Sequence, residues 1–252
     1  MRWAGLAALL ALGAGGLAVT KLPRPRFPAP AASAHAATHL RIVSSRLRAP
    51  TIEEHGIDVY GGLPSSFRRA SLLKGIVRPG RTLLLYGKDG ASARYLLAFD
   101  RAGHFRYGFD FARYAWPPRI RPGEREFVYE EVVWAREANG VLYVENAHST
   151  YARSSYGRNA YVTAIDLHTK KPLWRSPALV ANAKTFAVTP RYLVTGYGFT
   201  DEPDYLYLLD RRTGRVEERL KLPTAPDSIT HSANRVHVRT YDHELVVRLT
   251  RI

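Results

Sequence analysis

The sequence predicts an all-β protein: a small β-propeller, or a propeller-like array, of about four antiparallel four-stranded repeats. Three observations predict this class. A segment that begins in Tyr and ends in Asp recurs along the chain, and a turn signal follows each copy. No helical period competes with the strand pattern after residue 70.

The recurring segment occupies residues 95–100, 161–166 and 205–210. At the end of a strand, an Asp carboxylate can accept hydrogen bonds from the N–H groups of the turn, and glycine supplies the positive φ that closes it. We therefore expect positive φ at Gly103 and Gly214. Lys170 replaces the glycine in the second copy, so that turn is expected to be more strained or of a different type.

Further strands flank each copy and complete a four-stranded unit. Asp166 and Asp210 are 44 residues apart, and Thr250 follows Asp210 by 40, which is the spacing of propeller repeats. The first interval, from Asp100 to Asp166, is 66 residues, because insertions at 113–125 and 147–159 lengthen it.

The last repeat ends after its third strand, at residues 244–250, and would leave a bare β-branched edge. The segment His39–Leu47 has strand character, with Leu40, Ile42 and Ser44 expected on one face. We predict that it supplies the missing outer strand. Residues 50–70 are expected to be mostly irregular.

The amino terminus is a separate segment. An uncharged apolar run of 17 residues, Trp3–Val19, follows Met1-Arg2 and predicts an N-terminal hydrophobic helix, either a signal peptide or a membrane anchor. Residues 1–19 are assigned to this segment, residues 20–38 to a Pro/Ala-rich linker and residues 39–252 to the propeller-like domain. We expect an extracytoplasmic protein, either secreted, periplasmic or anchored facing outward.

The charge favours acidic partners. The chain has 37 Lys and Arg against 22 Asp and Glu, a net charge of +15, although scattered arginines also fit an ordinary solvated surface. Cysteine is absent, which excludes disulfides, thiolate metal sites and a cysteine nucleophile. Nucleic acid is disfavoured, because no nucleic-acid motif accompanies the export signal.

The motifs indicate no catalytic residue, no metal site and no cofactor. His231, His237 and His243 are spaced by six residues but need not converge. The adjacent acids Glu130 and Glu131 point to opposite faces of a strand. The alternative function, a propeller-type hydrolase or lyase acting on a glycan or lactone, stays open because such enzymes collect residues from several repeats.

The two insertions are the candidate binding loops. Both combine Tyr or Trp with Arg, the side chains that protein interfaces favour. The candidate residues are Trp116, Arg119, Arg121, Tyr151, Arg153, Tyr156 and Arg158.

The run Ala164-Ile165-Asp166, followed by Thr169 and Trp174, resembles the repeat of PQQ-type (quinoprotein-like) β-propellers. Leu209-Asp210 with Thr213-Gly214 is similar but lacks the tryptophan, and Ala98-Phe99-Asp100 matches the strand alone. The resemblance covers roughly residues 71–252. Four repeats cannot build the quinone site of the large members, so it implies a small non-catalytic scaffold. We therefore expect binding of another protein, or of an acidic cell-envelope polymer, through loops on one face.

Overall fold

The computed structural model describes residues 17–23, 38–50, 64–88, 93–112, 120–124, 128, 131–148, 150 and 152–251, and these are almost entirely β-strands and turns. The chain divides into two units, one of residues 1–24 and 54–115 and the other of residues 25–53 and 116–252. The strands, in chain order, are β1 (Thr20–Lys21), β2 (Thr38–Leu47), β3 (Ser66–Phe67), β4 (Ala70–Arg78), β5 (Arg81–Gly87), β6 (Ala93–Asp100), β7 (Phe105–Asp110), β8 (Glu131–Ala138), β9 (Val141–Ala147), β10 (Tyr161–Asp166), β11 (Pro172–Arg175), β12 (Ala187–Val188), β13 (Tyr192–Phe199), β14 (Glu202–Asp210), β15 (Val216–Lys221), β16 (Pro226–Ser232), β17 (Arg235–Thr240) and β18 (His243–Arg251).

The strands form four sheets, numbered here in chain order. Sheet 1, in the first unit, has the order β1-β7-β6-β5-β4-β3. The second unit holds three four-stranded sheets: sheet 2 (β11-β10-β9-β8), sheet 3 (β12-β13-β14-β15) and sheet 4 (β16-β17-β18-β2). Each contains an antiparallel meander of sequence-adjacent strands, which is the organisation of propeller blades. The predicted all-β class is confirmed, and sheets 2, 3 and 4 have the predicted four strands, whereas sheet 1 has six because β1 and β3 add to its meander.

The Asp turns form as predicted. The Asp100 carboxylate accepts the N–H groups of Ala102 (2.9 Å) and His104 (3.0 Å), and Asp210 accepts those of Arg212 (3.0 Å) and Thr213 (2.9 Å). The backbone φ is +84° at Gly103 and +72° at Gly214. Lys170 is forced to +56°, the strained conformation expected where glycine is missing.

The last sheet is completed by the N-terminal strand. β2 pairs antiparallel with β18, from Leu47 opposite His243 to Thr38 opposite Arg251, so the predicted outer strand is confirmed. The expectation for Ser44 is wrong. A bulge at Val43 shifts the register, so that Ile42 faces inward opposite Val247 while Ser44 lies on the outer face opposite Val246. The bulge also bends the free edge of β2, which discourages edge-to-edge aggregation.

Two buried clusters hold the second unit together. One joins sheets 2 and 3 and includes Tyr143, Trp174, Phe186 and Leu209. The other joins sheets 3 and 4, where Leu40 of β2 packs among side chains such as Leu208 and Val247. Sheets 2, 3 and 4 therefore stack successively through their apolar faces.

A partly buried arginine reinforces the junction of sheets 2 and 3. The guanidinium of Arg211 donates to the Tyr143 hydroxyl (2.8 Å) and to the carbonyl of Ala138 (3.0 Å). Both acceptors belong to sheet 2, whereas Arg211 follows β14 of sheet 3. The hydrogen bonds add directional contacts to an interface that is otherwise apolar.

The first unit has its own core, which includes Leu84, Tyr86, Leu97 and Phe99, all nearly inaccessible to solvent. Tyr86 also donates through its hydroxyl to the Pro64 carbonyl (3.0 Å). Ser66–Phe67, in the segment expected to be irregular, pairs with β4 as a short edge strand.

The predicted N-terminal helix is not supported. Its residues 1–16 lie outside the described part of the chain, and residues 17–23 contain the two-residue strand β1, parallel to β7. Leu22 is fully buried, and its N–H donates to the Asp110 carbonyl (3.1 Å). Among the described residues, no helix has the length and apolar character needed to cross a membrane. The start of the segment expected to be a linker is thus part of sheet 1.

Candidate functional site

The insertion between β9 and β10 is closed at its base by a buried amide. The Asn159 side chain accepts the His148 N–H (2.8 Å) and donates to the His148 carbonyl (2.7 Å). Asn159 is only 7% exposed, so these hydrogen bonds are sheltered from water. The two ends of the insertion are therefore fixed to each other.

His148 at this base is itself buried. Burial lowers the pKa of its imidazole to about 4, because the charged form would lose its hydration. Neither ring nitrogen has a hydrogen-bond partner among the described residues. At neutral pH the side chain is an uncharged part of the base of the insertion.

The tip of the insertion is joined to the other predicted binding segment. Arg153–Ser155 form a single 3-10 turn, and the Glu124 carboxylate accepts the N–H groups of Arg153 (3.2 Å) and Ser154 (3.0 Å). In return the Ser154 hydroxyl accepts the Arg121 N–H (2.9 Å). We refer to residues 120–124 and 152–158 as the paired loops.

The acid of this junction is stabilised in its charged form. Hydrogen bonding from Ser154, supported by the N–H of Arg153 and the nearby Arg121 charge, holds the pKa of Glu124 below its usual range. Both oxygens of the Glu124 carboxylate thus accept hydrogen bonds from the 3-10 turn. It is ionised at neutral pH, where it keeps the paired loops together.

The structure brings four of the seven predicted site residues into the paired loops. Arg121, Arg153 and Arg158 are exposed, and Tyr156 is the most exposed of the large apolar side chains described, at 78%. Trp116, Arg119 and Tyr151 lie outside the described residues. The three arginines and Tyr156 lie near the Glu124 carboxylate, which already accepts two backbone hydrogen bonds. Together they form a surface suited to acidic groups.

Within the described residues, no three His, Asp or Glu side chains converge as metal ligands. In sheet 4, His231 pairs with inward-facing Val236, whereas His237 pairs with outward-facing Thr230. These two histidines therefore lie on opposite faces and do not converge.

A second polar surface lies on the outer face of sheet 4. It contains an open groove of about 470 Å³, lined by Ser44, Arg46, Ser228, Thr230, His237, Val238, Arg239, Glu244, Leu245 and Val246. The only sequence signal for this face is the alternation of apolar and basic residues in Val236-His-Val-Arg239. That alternation predicts a strand, but it does not reveal that β2 adds Ser44 and Arg46 to the same face.

The folded chain defines a class before any comparison. Its repeated antiparallel meanders, which in the second unit stack through apolar faces, are those of an all-β protein with propeller-type sheets.

Comparisons with known proteins assign no family. No family model matches the chain, and no curated protein matches its sequence. Among solved structures it is similar to the computationally designed Ika8 protein, at 12% identity and a TM-score of 0.44, over 72% of this chain and 46% of that one. It is also similar to BamB from Moraxella catarrhalis, at 13% identity and a TM-score of 0.38, over 69% of this chain and 58% of that one.

A third similar structure is Sqt1 from Saccharomyces cerevisiae, at 10% identity and a TM-score of 0.44, over 68% of this chain and 43% of that one. The matched region spans about half the length of these three proteins. The class stated above rests on the sheets of the chain itself.

Proposed function

We propose that this chain is a non-catalytic binding or scaffold protein that uses the paired loops to hold an acidic surface of a partner protein. An acidic cell-envelope polymer is the other ligand of the same chemistry. The observation that carries the proposal is the Glu124 junction, which joins the two basic, aromatic insertions into one surface.

The junction matters because it reduces the cost of binding. A free loop loses conformational entropy when a partner fixes it, whereas loops already joined to each other lose less. Tyr156 offers a large flat face, and the neighbouring guanidinium groups offer paired donors to carboxylates. The surface therefore combines the residue types and the pre-organisation of an interface.

The compartment and the subfamily are part of the proposal. The apolar run Trp3–Val19 supports export or outward anchoring of the chain. The Ala164-Ile165-Asp166 motif with Trp174 supports a place among the small PQQ-like propellers. Fusing residues 1–40 to a reporter tests export, and a reporter that stays in the cytoplasm refutes it.

Binding is tested with Arg153→Ala/Arg158→Ala in pull-downs from envelope extracts. We expect the double variant to lose an acidic partner without losing thermal stability, and the difference to grow at low salt, where charges are less screened. The matched control is Arg191→Ala/Arg212→Ala, which removes the same charge from exposed positions elsewhere in the second unit. Equal recovery of the partner by all three proteins at low salt would refute the paired loops as the site.

A further inference from the structure

The outer face of sheet 4 is arranged in rows that cross the strands. Side chains that pair across antiparallel strands point to the same face. The pairing of β16, β17, β18 and β2 therefore sets three successive rows on the outer face. These rows are Ser228, Arg239, Glu244 and Arg46; then Thr230, His237, Val246 and Ser44; then Ser232, Arg235, Arg248 and Arg41.

The rows explain the groove. The middle row has shorter side chains and forms the floor, while Arg239 and Arg46 of the first row, with Glu244 between them, line one side. Arg235, Arg248 and Arg41 occupy the next row along the strands. Four strands spaced by about 4.8 Å make the floor roughly 14 Å long, at right angles to the strands. That length accommodates about four residues of an extended peptide.

The face is held rigid and is strongly basic. Along its strands, outward side chains alternate with inward ones such as Val236, Val238 and Val247. These inward side chains are at most 2% exposed, so the outward ones project from a well-packed sheet. The three rows contain five arginines and a single acid, Glu244. The field over the groove is therefore positive, and arginine matches carboxylates with paired donors.

The neighbouring residues favour a peptide over other anions. Tyr241, 49% exposed, lies in the turn between β17 and β18 at the Arg239 end of the groove, and Val246 places an apolar side chain on the groove floor. Exposed apolar side chains next to arginines are typical of protein interfaces. Among the described residues that line the groove there is no Phe, Tyr or Trp. Single-stranded nucleic acid relies on such rings for base stacking.

We propose that an extended acidic peptide segment of a partner protein binds across the outer face of sheet 4, in the groove floored by Ser44, Val246, His237 and Thr230. Carboxylates of the peptide pair with Arg46 and Arg239, on either side of Glu244, and an apolar residue of the peptide packs against Tyr241. This site is separate from the paired loops and does not depend on their function.

The test measures fluorescence anisotropy of a fluorescein-labelled octapeptide, rich in Asp and Glu with leucines at one end, on the full-length chain at low salt. We expect Arg46→Gln/Arg239→Gln to weaken binding about 5-fold or more, since each exposed charge contact contributes modestly. The matched control, Arg191→Gln/Arg212→Gln, removes the same charge from exposed positions elsewhere in the second unit and should leave the peptide affinity unchanged.

A second variant guards against loss of folding. Ser44→Glu places a carboxylate on the exposed floor of the groove and should abolish peptide binding while the melting temperature stays constant. Equal affinity of wild type and Arg46→Gln/Arg239→Gln, or an equal loss with the Arg191→Gln/Arg212→Gln control, overturns the proposal. Tighter binding of a labelled single-stranded oligonucleotide, or displacement of the peptide by equimolar inorganic phosphate, also overturns it.

Discussion

The indole ring of Trp174 lies against Gly214, so close that a Cβ on this glycine would be 2.8 Å from Cζ3 and 2.9 Å from Cδ2 of the ring. Trp174 belongs to the last strand of sheet 2, and Gly214 closes the Asp210 turn of sheet 3. The contact thus joins one repeat to the turn of the next. Glycine is required at position 214 for two reasons: the backbone φ is +72°, and the Trp174 ring fills the space that a Cβ would need.

We expect Gly214→Ala to destabilise the protein more than Gly140→Ala does. Gly140 has a φ of +74° with nothing near its missing Cβ, so it reports the backbone cost alone. That cost is about 1–2 kcal/mol, and overlap with a packed ring adds about 1–3 kcal/mol. Urea unfolding of both variants measures the difference. Equal losses would show that Trp174 moves aside freely and does not lock the sheets.

Leu40 tests the role of β2 as the closing strand. It is 5% exposed within the core of sheets 3 and 4, while its neighbour Arg41 lies on the outer face. We expect Leu40→Ala to cost about 2–4 kcal/mol, because it leaves a cavity. Arg41→Ala should cost under about 0.5 kcal/mol, as surface changes usually do.

Chemical denaturation and size-exclusion chromatography measure this pair of variants. Loosening of β2 bares the edge of β18, so Leu40→Ala should also dimerise or aggregate at high concentration. A monomeric Leu40→Ala variant of unchanged stability would contradict the pairing.

His148 predicts a loss of stability in mild acid. Because burial lowers its pKa from 6.5 to about 4, the unfolded chain takes up a proton more readily than the folded one between these values. The contribution of His148 to the free energy of unfolding is fully present above about pH 6.5. It falls by up to about 3 kcal/mol as the pH drops toward 4.

The pH dependence is measured as the free energy of unfolding between pH 4 and 7. His148→Leu should flatten the curve relative to wild type, whereas His168→Leu, at an exposed position, should reproduce the wild-type slope. Parallel curves for all three proteins would exclude His148 as the source.

Glu124 predicts a local effect on the paired loops. Glu124→Ala removes the acceptor of the Arg153 and Ser154 N–H groups, so their hydrogen exchange should accelerate. The free energy of unfolding should change by less than about 0.5 kcal/mol, because the junction is exposed. Glu217→Gln is the control elsewhere in the second unit. Unchanged exchange at residues 153 and 154 in Glu124→Ala would mean that the junction is absent in solution.

The junction should also weaken in strong acid. The pKa of Glu124 is lowered in the fold, so the contact is complete above the ordinary pKa of a glutamate. It is lost only as the pH falls through the lowered value. Exchange at the 3-10 turn, followed as a function of pH, gives the midpoint.

Several details could be predicted because they depend on short-range chemistry. The Asp210 turn, the positive φ of Gly214 and the strained Lys170 follow from steric limits within a few residues. The pairing of β2 with β18 is long-range, but it could still be predicted. The last repeat needed an outer strand to cover its edge, and residues 39–47 were an unassigned segment with strand character.

Other details could not be predicted, because they depend on contacts between distant segments. The bulge at Val43 reverses the face of Ser44, and a shift of one residue in register leaves no trace in an apolar-polar pattern. Burial of Leu22 was missed for a similar reason, since nothing in residues 20–23 indicates that β7 offers them an edge.

The sequence by itself determined the all-β class, the repeat, its turns and the choice of basic, aromatic insertions, because strand alternation and turn stereochemistry are local properties. Only the tertiary structure decided which side chains share a surface. Glu124 contacts the 3-10 turn at residues 153–155, and Arg46 and Arg239 line the same groove on the outer face of sheet 4, through chain folding that local patterns do not encode. Binding surfaces are assembled from residues far apart in sequence, so their composition is fixed only when the sheets pair and stack.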